Sequence, residues 1–66
     1  MTLYNNIKTL RENLKMSQDE LARKVGYKDR TSIAKIESGK IDLAQSKIFA
    51  FAEALNTTPE DLMGLH

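Results

Sequence analysis

The sequence predicts an all-α domain of five short helices that uses the whole 66-residue chain. Apolar residues recur at intervals of three and four positions, the spacing of one helical face, and no segment alternates like a strand. Capping residues and glycines divide this pattern into short segments. The chain contains no cysteine, so its core must form without disulfides or thiolate-bound metal. A chain of 66 residues is near the lower size limit for a domain that folds without such links.

The first helix is predicted from an apolar stripe in residues 3–15. Leu3, Ile7, Leu10 and Leu14 follow one another at spacings of four, three and four positions, and therefore lie on one helical face. We expect this stripe to pack against the other helices.

The second helix has the most strongly marked start in the chain. Ser17 and Glu20 have the spacing of a capping box, in which each side chain binds the backbone N–H of the other residue. Met16 and Leu21 occupy the positions of a hydrophobic staple around it. Gly26 predicts the end of this helix, because glycine readily adopts the left-handed conformation found there.

The third helix is predicted between Asp29 as its N-cap and Gly39 as its stop. Ile33 and Ile36 are its only large apolar residues. A helix with so narrow an apolar stripe leaves most of its surface free for a partner.

The fourth helix is the most apolar, which predicts a central position in the core. Asp42 together with Gln45 is expected to cap its start, and Asn56 is expected to end it. We expect both Phe49 and Phe51 in the core, with a dimer contact for one of them as the alternative.

The fifth helix is short. Thr58 and Pro59 predict its start, because a proline at the first helical position loses no hydrogen bond. Gly64 predicts its end.

Basic residues are concentrated in the middle of the chain. The net charge is only +1, but all ten Lys and Arg lie between Lys8 and Lys47. Residues 23–40 carry six basic and two acidic side chains, a local charge of +4, whereas residues 48–66 carry three acidic and no basic ones. This asymmetry favours a polyanionic partner on the side formed by the central segment.

Four segments, in this order and at these separations, resemble the Cro/CI-type (XRE-like) helix-turn-helix domains of phage repressors and bacterial transcriptional regulators. The segments are IKTLREN, MSQDELARKVG, SIAKIESGK and AEALNTTPEDLM. The resemblance implies a lambda-repressor-like DNA-binding domain with the helix-turn-helix at residues 17–39. The second helix of this motif would lie in the major groove of double-stranded DNA.

The resemblance also implies roles for single positions. Gln18 matches a glutamine that contacts a DNA phosphate and braces the recognition helix. Arg11 and Glu37 match an ion pair that joins the first helix to the end of the third. The side chains at or beside the positions that face base edges are those of Arg30, Thr31, Ser32, Ala34 and Lys35.

The turn between the two helices departs from the shortest members of the family. Residues 27–29 make it one residue longer, so the register of Arg30 and Thr31 on the bases is open by one position. Both side chains suit base reading, because the guanidinium of Arg30 matches guanine O6 and N7 and the methyl group of Thr31 suits thymine. Lys35 lies about one helical turn further on and would reach a second base or a phosphate. For Arg30, Thr31 and Lys35, the alternative reading is a solvated helix face.

Other basic residues are expected to bind the DNA backbone. Lys28 lies in the turn, and Lys40 and Lys47 lie around the start of the fourth helix, where free backbone N–H groups favour phosphate. Arg11 is also expected near the DNA backbone.

A single domain of this size offers little interface for high operator affinity. We therefore expect a repressor that binds a palindromic operator as a homodimer, with half-site centres about one helical turn, ~34 Å, apart. The expected dimer contacts are the apolar side chains of Leu62, Met63 and Leu65. The alternative is an antitoxin or a protein-interaction adaptor of the same fold, whose main partner is a protein.

The sequence carries no catalytic or cofactor pattern. It has no paired carboxylates, catalytic triad or phosphate-binding loop, and its one histidine is His66. We expect no enzyme activity, metal or cofactor, and little room for a small-molecule pocket of ~300 Å³ or more. No apolar run approaches the ~18 residues of a membrane span, so we expect a cytosolic protein. The resemblance further implies the bacterial cytosol or nucleoid and a phage or bacterial origin. The operator, the target genes and the presence of further domains stay open.

Overall fold

Five α-helices follow one another in residues 2–64, the part of the chain that the computed structural model describes. They are α1 (Thr2–Asn13), α2 (Gln18–Val25), α3 (Arg30–Glu37), α4 (Gln45–Ala54) and α5 (Pro59–Met63). No strand occurs among these residues, and the predicted all-α fold of five helices is confirmed. None of the described helices is long and apolar enough to cross a membrane.

The helices surround one apolar core to which each of them contributes. Its largest fully buried side chains are Phe51, Ile7, Leu21, Ile33, Ile36, Leu55 and Leu62. In space, α3 contacts both α1 and α2, while α2 also contacts α4. The apolar side of α3, formed by Ile33 and Ile36, therefore lies in the core, and its other side is exposed.

Three helix starts have the predicted caps. The Ser17 hydroxyl oxygen accepts a hydrogen bond from the Glu20 N–H at 3.0 Å, and Glu20 Oε1 accepts one from the Ser17 N–H at 3.1 Å. Asp29 caps α3 and Thr58 caps α5 through side-chain oxygens. Each cap of this kind stabilises its helix by about 1 kcal/mol.

The start of α4 differs from the prediction. Its N-cap is Ala44, which has no side-chain acceptor, so the cap expected from Asp42 with Gln45 is wrong. An N-cap must be the residue directly before the helix, and Asp42 lies too early in the chain to serve. Its carboxylate instead accepts a hydrogen bond from the Tyr4 hydroxyl at 3.4 Å, which ties the loop before α4 to α1.

Each of the five helices is followed, within two residues of its end, by a residue with left-handed backbone geometry. Gly26, Gly39 and Gly64 have φ of 86°, 79° and 78°, whereas Lys15 and Asn56 have φ of 58° and 57°. After each of the first four helices, the N–H of the next residue donates to a carbonyl oxygen five residues earlier, at 2.8–3.0 Å. Asparagine tolerates this geometry, but it is unusual for lysine.

The two phenylalanines of α4 have different environments. Phe51 is fully buried, as predicted, but Phe49 is 56% exposed, so the prediction of a core position for Phe49 is wrong. The buried face of α4 is set by Ile48, Phe51 and Ala52. Because each residue turns the helix by about 100°, position 49 falls outside that face.

One of the three side chains predicted to form a dimer contact is enclosed in the core. Leu62 is fully buried in the core, so the prediction that it contacts a second copy is wrong. Its backbone carbonyl also accepts a hydrogen bond from Asn6 Nδ2 at 2.8 Å, which ties α5 to α1. Met63 is half-buried against the core, and Leu65 lies outside the described residues, as does His66.

Candidate nucleic-acid interface

The outer face of α3 carries the side chains predicted to read bases. Only Ile33 and Ile36 of this helix are buried, which agrees with its narrow apolar stripe. Ser32 is half-buried, and the exposed side chains are those of Arg30, Thr31, Ala34 and Lys35. The core therefore orients α3 so that the face formed by residues 30, 31, 34 and 35 is accessible.

Two carboxylates bind the backbone at the start of α3. Asp29 Oδ1 accepts a hydrogen bond from the Thr31 N–H at 2.9 Å. Asp19 Oδ1, on α2, accepts one from the Arg30 N–H at 3.1 Å. The Asp19 contact joins the two helices of the motif, and it is absent from the sequence prediction.

The other end of α3 is held by Arg11 of α1. The Arg11 Nε donates to Glu37 Oε2 at 2.6 Å and its Nη2 donates to Glu37 Oε1 at 3.2 Å. A third donor of Arg11, Nη1, reaches the carbonyl oxygen of Met16 at 2.8 Å. The ion pair expected between Arg11 and Glu37 is thus present, with the two-point geometry that arginine forms with carboxylates.

This ion pair is enclosed by the protein. The side chains of Arg11 and Glu37 are only 11% and 4% exposed. The hydrogen bond with Glu37 raises the pKa of the Arg11 guanidinium above its usual range, although burial opposes the rise. Three of the five guanidinium N–H groups of Arg11 are bound within the protein, which gives it a structural role, and a contact with the DNA backbone through the other two stays a prediction.

Gln18 extends the same network to the start of α2. Its Nε2 donates to Glu37 Oε1 at 3.1 Å, so one carboxylate receives both Arg11 and Gln18. The side chain is half-buried, and its amide nitrogen carries a second N–H. This geometry allows Gln18 to brace α3 and still donate to a phosphate.

The three lysines predicted to bind phosphates differ in their surroundings. Lys28 in the turn and Lys40 after α3 are exposed. Lys47 is half-buried, and its ammonium group is bound to the end of α2. Lys28 and Lys40 lie at opposite ends of α3 along the chain, which suits contacts on both sides of a groove.

An open cleft of about 430 Å³ lies beside α4, and none of the residues that line it belongs to α3. The expectation of little room for a pocket of ~300 Å³ or more is therefore wrong. The lining is mixed and includes Leu14, Met16, Lys24, Ala50 and Glu53. Within residues 2–64, no group of three or more His, Cys, Asp and Glu is placed to hold a metal ion.

Comparison with known proteins agrees with the geometry of the α2–α3 pair. Residues 7–62 match the family described as Helix-turn-helix. Similarity is also found to the crystal structure of a hypothetical transcription factor, NHTF, from Neisseria. That match has a TM-score of 0.86 and 35% sequence identity, and it covers 94% of this chain and 70% of the other. None of the curated proteins compared with the chain matches it.

The family match covers all of α2, α3 and α4, residues 7–13 of α1 and residues 59–62 of α5. It includes the capping box, both caps at the start of α3 and the ion pair between Arg11 and Glu37. The resemblance to XRE-like domains is thereby confirmed. The chain belongs to the helix-turn-helix family.

Proposed function

We propose that this protein is a sequence-specific transcriptional regulator, a repressor that places α3 in the major groove of double-stranded DNA. The observation that carries the proposal is the exposed polar face of α3, held from behind by Ile33 and Ile36. A single α-helix fits the major groove of B-form DNA, where each base pair presents a distinct pattern of donors and acceptors. Such a regulator acts in the bacterial cytosol or nucleoid, which we propose as its location.

Base reading is assigned to the exposed side chains of α3. Arg30 at its first position would bind guanine O6 and N7 through two hydrogen bonds, a contact worth about 1–3 kcal/mol of discrimination. Thr31 and Ala34 offer methyl groups to thymine. Lys35, about one turn from Thr31, would reach a further base or a phosphate, and Ser32 lies beside them with a half-buried side chain.

Phosphate binding is assigned to Gln18, Lys28 and Lys40. Lys28 and Lys40 are exposed, and Gln18 keeps one amide N–H beyond the one that binds Glu37. Contacts of this kind fix the position of the protein on DNA without reading sequence.

We further propose that the protein binds a palindromic operator as a homodimer. One copy presents one recognition helix, and two copies related by a two-fold axis would read half-sites about 34 Å apart. Of the apolar side chains predicted for this contact, Met63 is the one that keeps partial exposure within the described residues. Sedimentation of the protein on its selected duplex tests this step, and a strictly monomeric complex would exclude it.

The experiment that tests DNA binding is selection from a random duplex pool, followed by titration of the selected duplex at several salt concentrations. We expect a two-fold symmetric sequence and an affinity that falls linearly with salt on a double-logarithmic plot. A flat salt dependence, or a pool that shows no enrichment, would contradict the proposal.

A second candidate function is that of an antitoxin or adaptor with a protein as its main partner. The observation in its favour is the exposure of two large apolar side chains, Phe49 at 56% and Leu14 at 41%, of which Leu14 lines the open cleft. Apolar side chains of this size at the surface commonly mark protein contacts when they cluster. Tight binding of a protein partner, lost on Phe49→Ser, together with no enrichment from the duplex pool, would favour this alternative.

A further inference from the structure

Lys47 of α4 is bound to two consecutive parts of the helix-turn-helix. Its Nζ donates a hydrogen bond to the carbonyl oxygen of Val25, the last residue of α2, at 2.7 Å. The same group lies over the ring of Tyr27, 4.6 Å from the ring centroid. A Cβ atom at Gly26, between these two residues, would lie 3.6 Å from the Lys47 Nζ. The ammonium group therefore sits against the junction of α2 and the turn.

Both contacts suit a cation better than a neutral group. The last carbonyl groups of a helix lack partners within the helix and form the negative end of its dipole. The face of an aromatic ring is also electron-rich and attracts a cation within about 6 Å. If Lys47 turned toward a DNA phosphate, it would have to give up its contacts with both Val25 and Tyr27.

The ring of Tyr27 is held from a second side by Phe51. The two ring centroids are 6.2 Å apart and the rings are tilted by 57°. Lys47 and Phe51 are four residues apart and therefore project from the same face of α4. The first residue of the turn is thus fastened to the core helix, and the turn leads directly into Arg30.

We propose that Lys47 is a positioning residue that fixes the turn of residues 27–29, and through it the register of Arg30 and Thr31 on the bases. The proposal rests on the DNA-binding function proposed above. It replaces the phosphate contact that the sequence predicted for Lys47. The position of the longer turn matters, because a shift of the turn by one residue would change which side chain of α3 meets which base.

The test compares Lys47→Met with Lys47→Arg, which keeps the positive charge. Lys40→Met is the control that removes one proposed phosphate contact. Lys8→Met, at an exposed position of α1, is the control that removes one positive charge elsewhere on the surface. The first readout, without DNA, is hydrogen exchange of the Tyr27 amide, which donates to the Ala22 carbonyl at 2.8 Å. The second is binding to the selected duplex and to its single-base variants over a range of salt concentrations.

Lys47→Met is expected to speed exchange of the Tyr27 amide by about tenfold, because a hydrogen bond to a charged group is lost at the helix end. It should also weaken discrimination at the bases read by Arg30 and Thr31, with the salt slope unchanged. Lys47→Arg should recover most of both properties. Lys40→Met should instead lower the slope by about 0.9, the value for one phosphate, with exchange at Tyr27 unchanged.

A fall in slope of about 0.9 in Lys47→Met, with unchanged exchange at Tyr27, would identify Lys47 as an ordinary phosphate ligand and overturn the proposal. If the wild-type protein selects no duplex, the DNA-binding function fails, and the role in base register fails with it. Unchanged exchange in a protein that does bind DNA overturns the positioning role alone. The two failures are therefore distinguishable.

Discussion

Asp19, in the first turn of α2, accepts a hydrogen bond from the backbone N–H of Arg30, the first residue of α3, at 3.1 Å. One helix of the motif thereby caps the other. Asp29 binds the next N–H, so two of the leading donors of α3 already have carboxylate partners. The start of α3 is not an open anion site of the kind found at many helix N-termini. We infer that α3 meets DNA through its side chains.

Removal of the Asp19 carboxylate tests this contact. Asp19→Ala should lower the free energy of unfolding by about 1 kcal/mol, the usual cost of a lost cap. It should also weaken DNA binding, because the angle between α2 and α3 is less well held. Loss of a negative charge near DNA would by itself strengthen binding, so tighter binding with unchanged stability would contradict a structural role. Chemical denaturation and duplex titration provide the two measurements.

The enclosed ion pair between Arg11 and Glu37 should dominate the polar contribution to stability. Arg11→Met leaves the Glu37 carboxylate buried without its main partner, which costs about 3–5 kcal/mol for pairs of this kind. Urea denaturation of the variant should show this loss. In a domain of marginal size, the variant is expected to be partly unfolded at room temperature.

The double variant Arg11→Met, Glu37→Leu is the control for this prediction. Replacing a buried pair by apolar side chains is often close to neutral, so the double variant should recover most of the lost stability. A single variant that costs less than about 1 kcal/mol would show that the pair behaves as an exposed one. The double variant should nevertheless bind DNA more weakly, because Gln18 loses its acceptor on Glu37.

Variants of the proposed interface should fall into two classes. Arg30→Ala and Lys35→Ala should relax base preference at particular operator positions by about 1–3 kcal/mol. Gln18→Ala and Lys40→Ala should weaken binding about equally for all sequences, and Lys40→Ala should also lower the salt slope by about 1. Titration of each variant against the single-base variants of the selected duplex separates the classes. If all four variants behaved in the same way, the assignment of separate base-reading and phosphate-binding residues would be wrong.

The two phenylalanines of α4 provide a matched pair for stability. Phe51→Ala removes a fully buried ring and should cost about 3–5 kcal/mol. Phe49→Ala removes a ring that is 56% exposed and should change the free energy of unfolding by no more than about 0.5 kcal/mol. Thermal or chemical denaturation would measure both. A large loss for Phe49→Ala would mean that this ring is covered, for example by a second copy in solution.

Features encoded by neighbouring residues were predictable from the sequence. The capping box of Ser17 and Glu20, the cap at Asp29 and the glycine ends all depend on residues within one turn of one another. The narrow apolar stripe of Ile33 and Ile36 likewise follows from spacing alone. These local signals were enough to locate α3 and its exposed face.

Features that depend on packing were not predictable in this way. Phe49 and Phe51 are equally apolar, and only the docking of α4 decides which of them is buried. Asp19 has the appearance of an ordinary acidic residue in a first helical turn, yet its partner lies on α3. The charge of Lys47 and its position near the start of α4 predict a phosphate contact, because no local pattern indicates a hydrogen bond to a residue 22 positions earlier.

The left-handed residues at the helix ends have a consequence for folding kinetics. The C-terminal end of each of the five helices is closed by backbone hydrogen bonds between residues at most five positions apart, so each helix can end at the correct place before distant parts of the chain meet. Helical domains with mainly local contacts fold in microseconds to milliseconds. We expect relaxation on that timescale in a temperature-jump experiment. Folding that takes seconds would indicate that assembly waits for long-range contacts, such as those of Arg11 with Glu37.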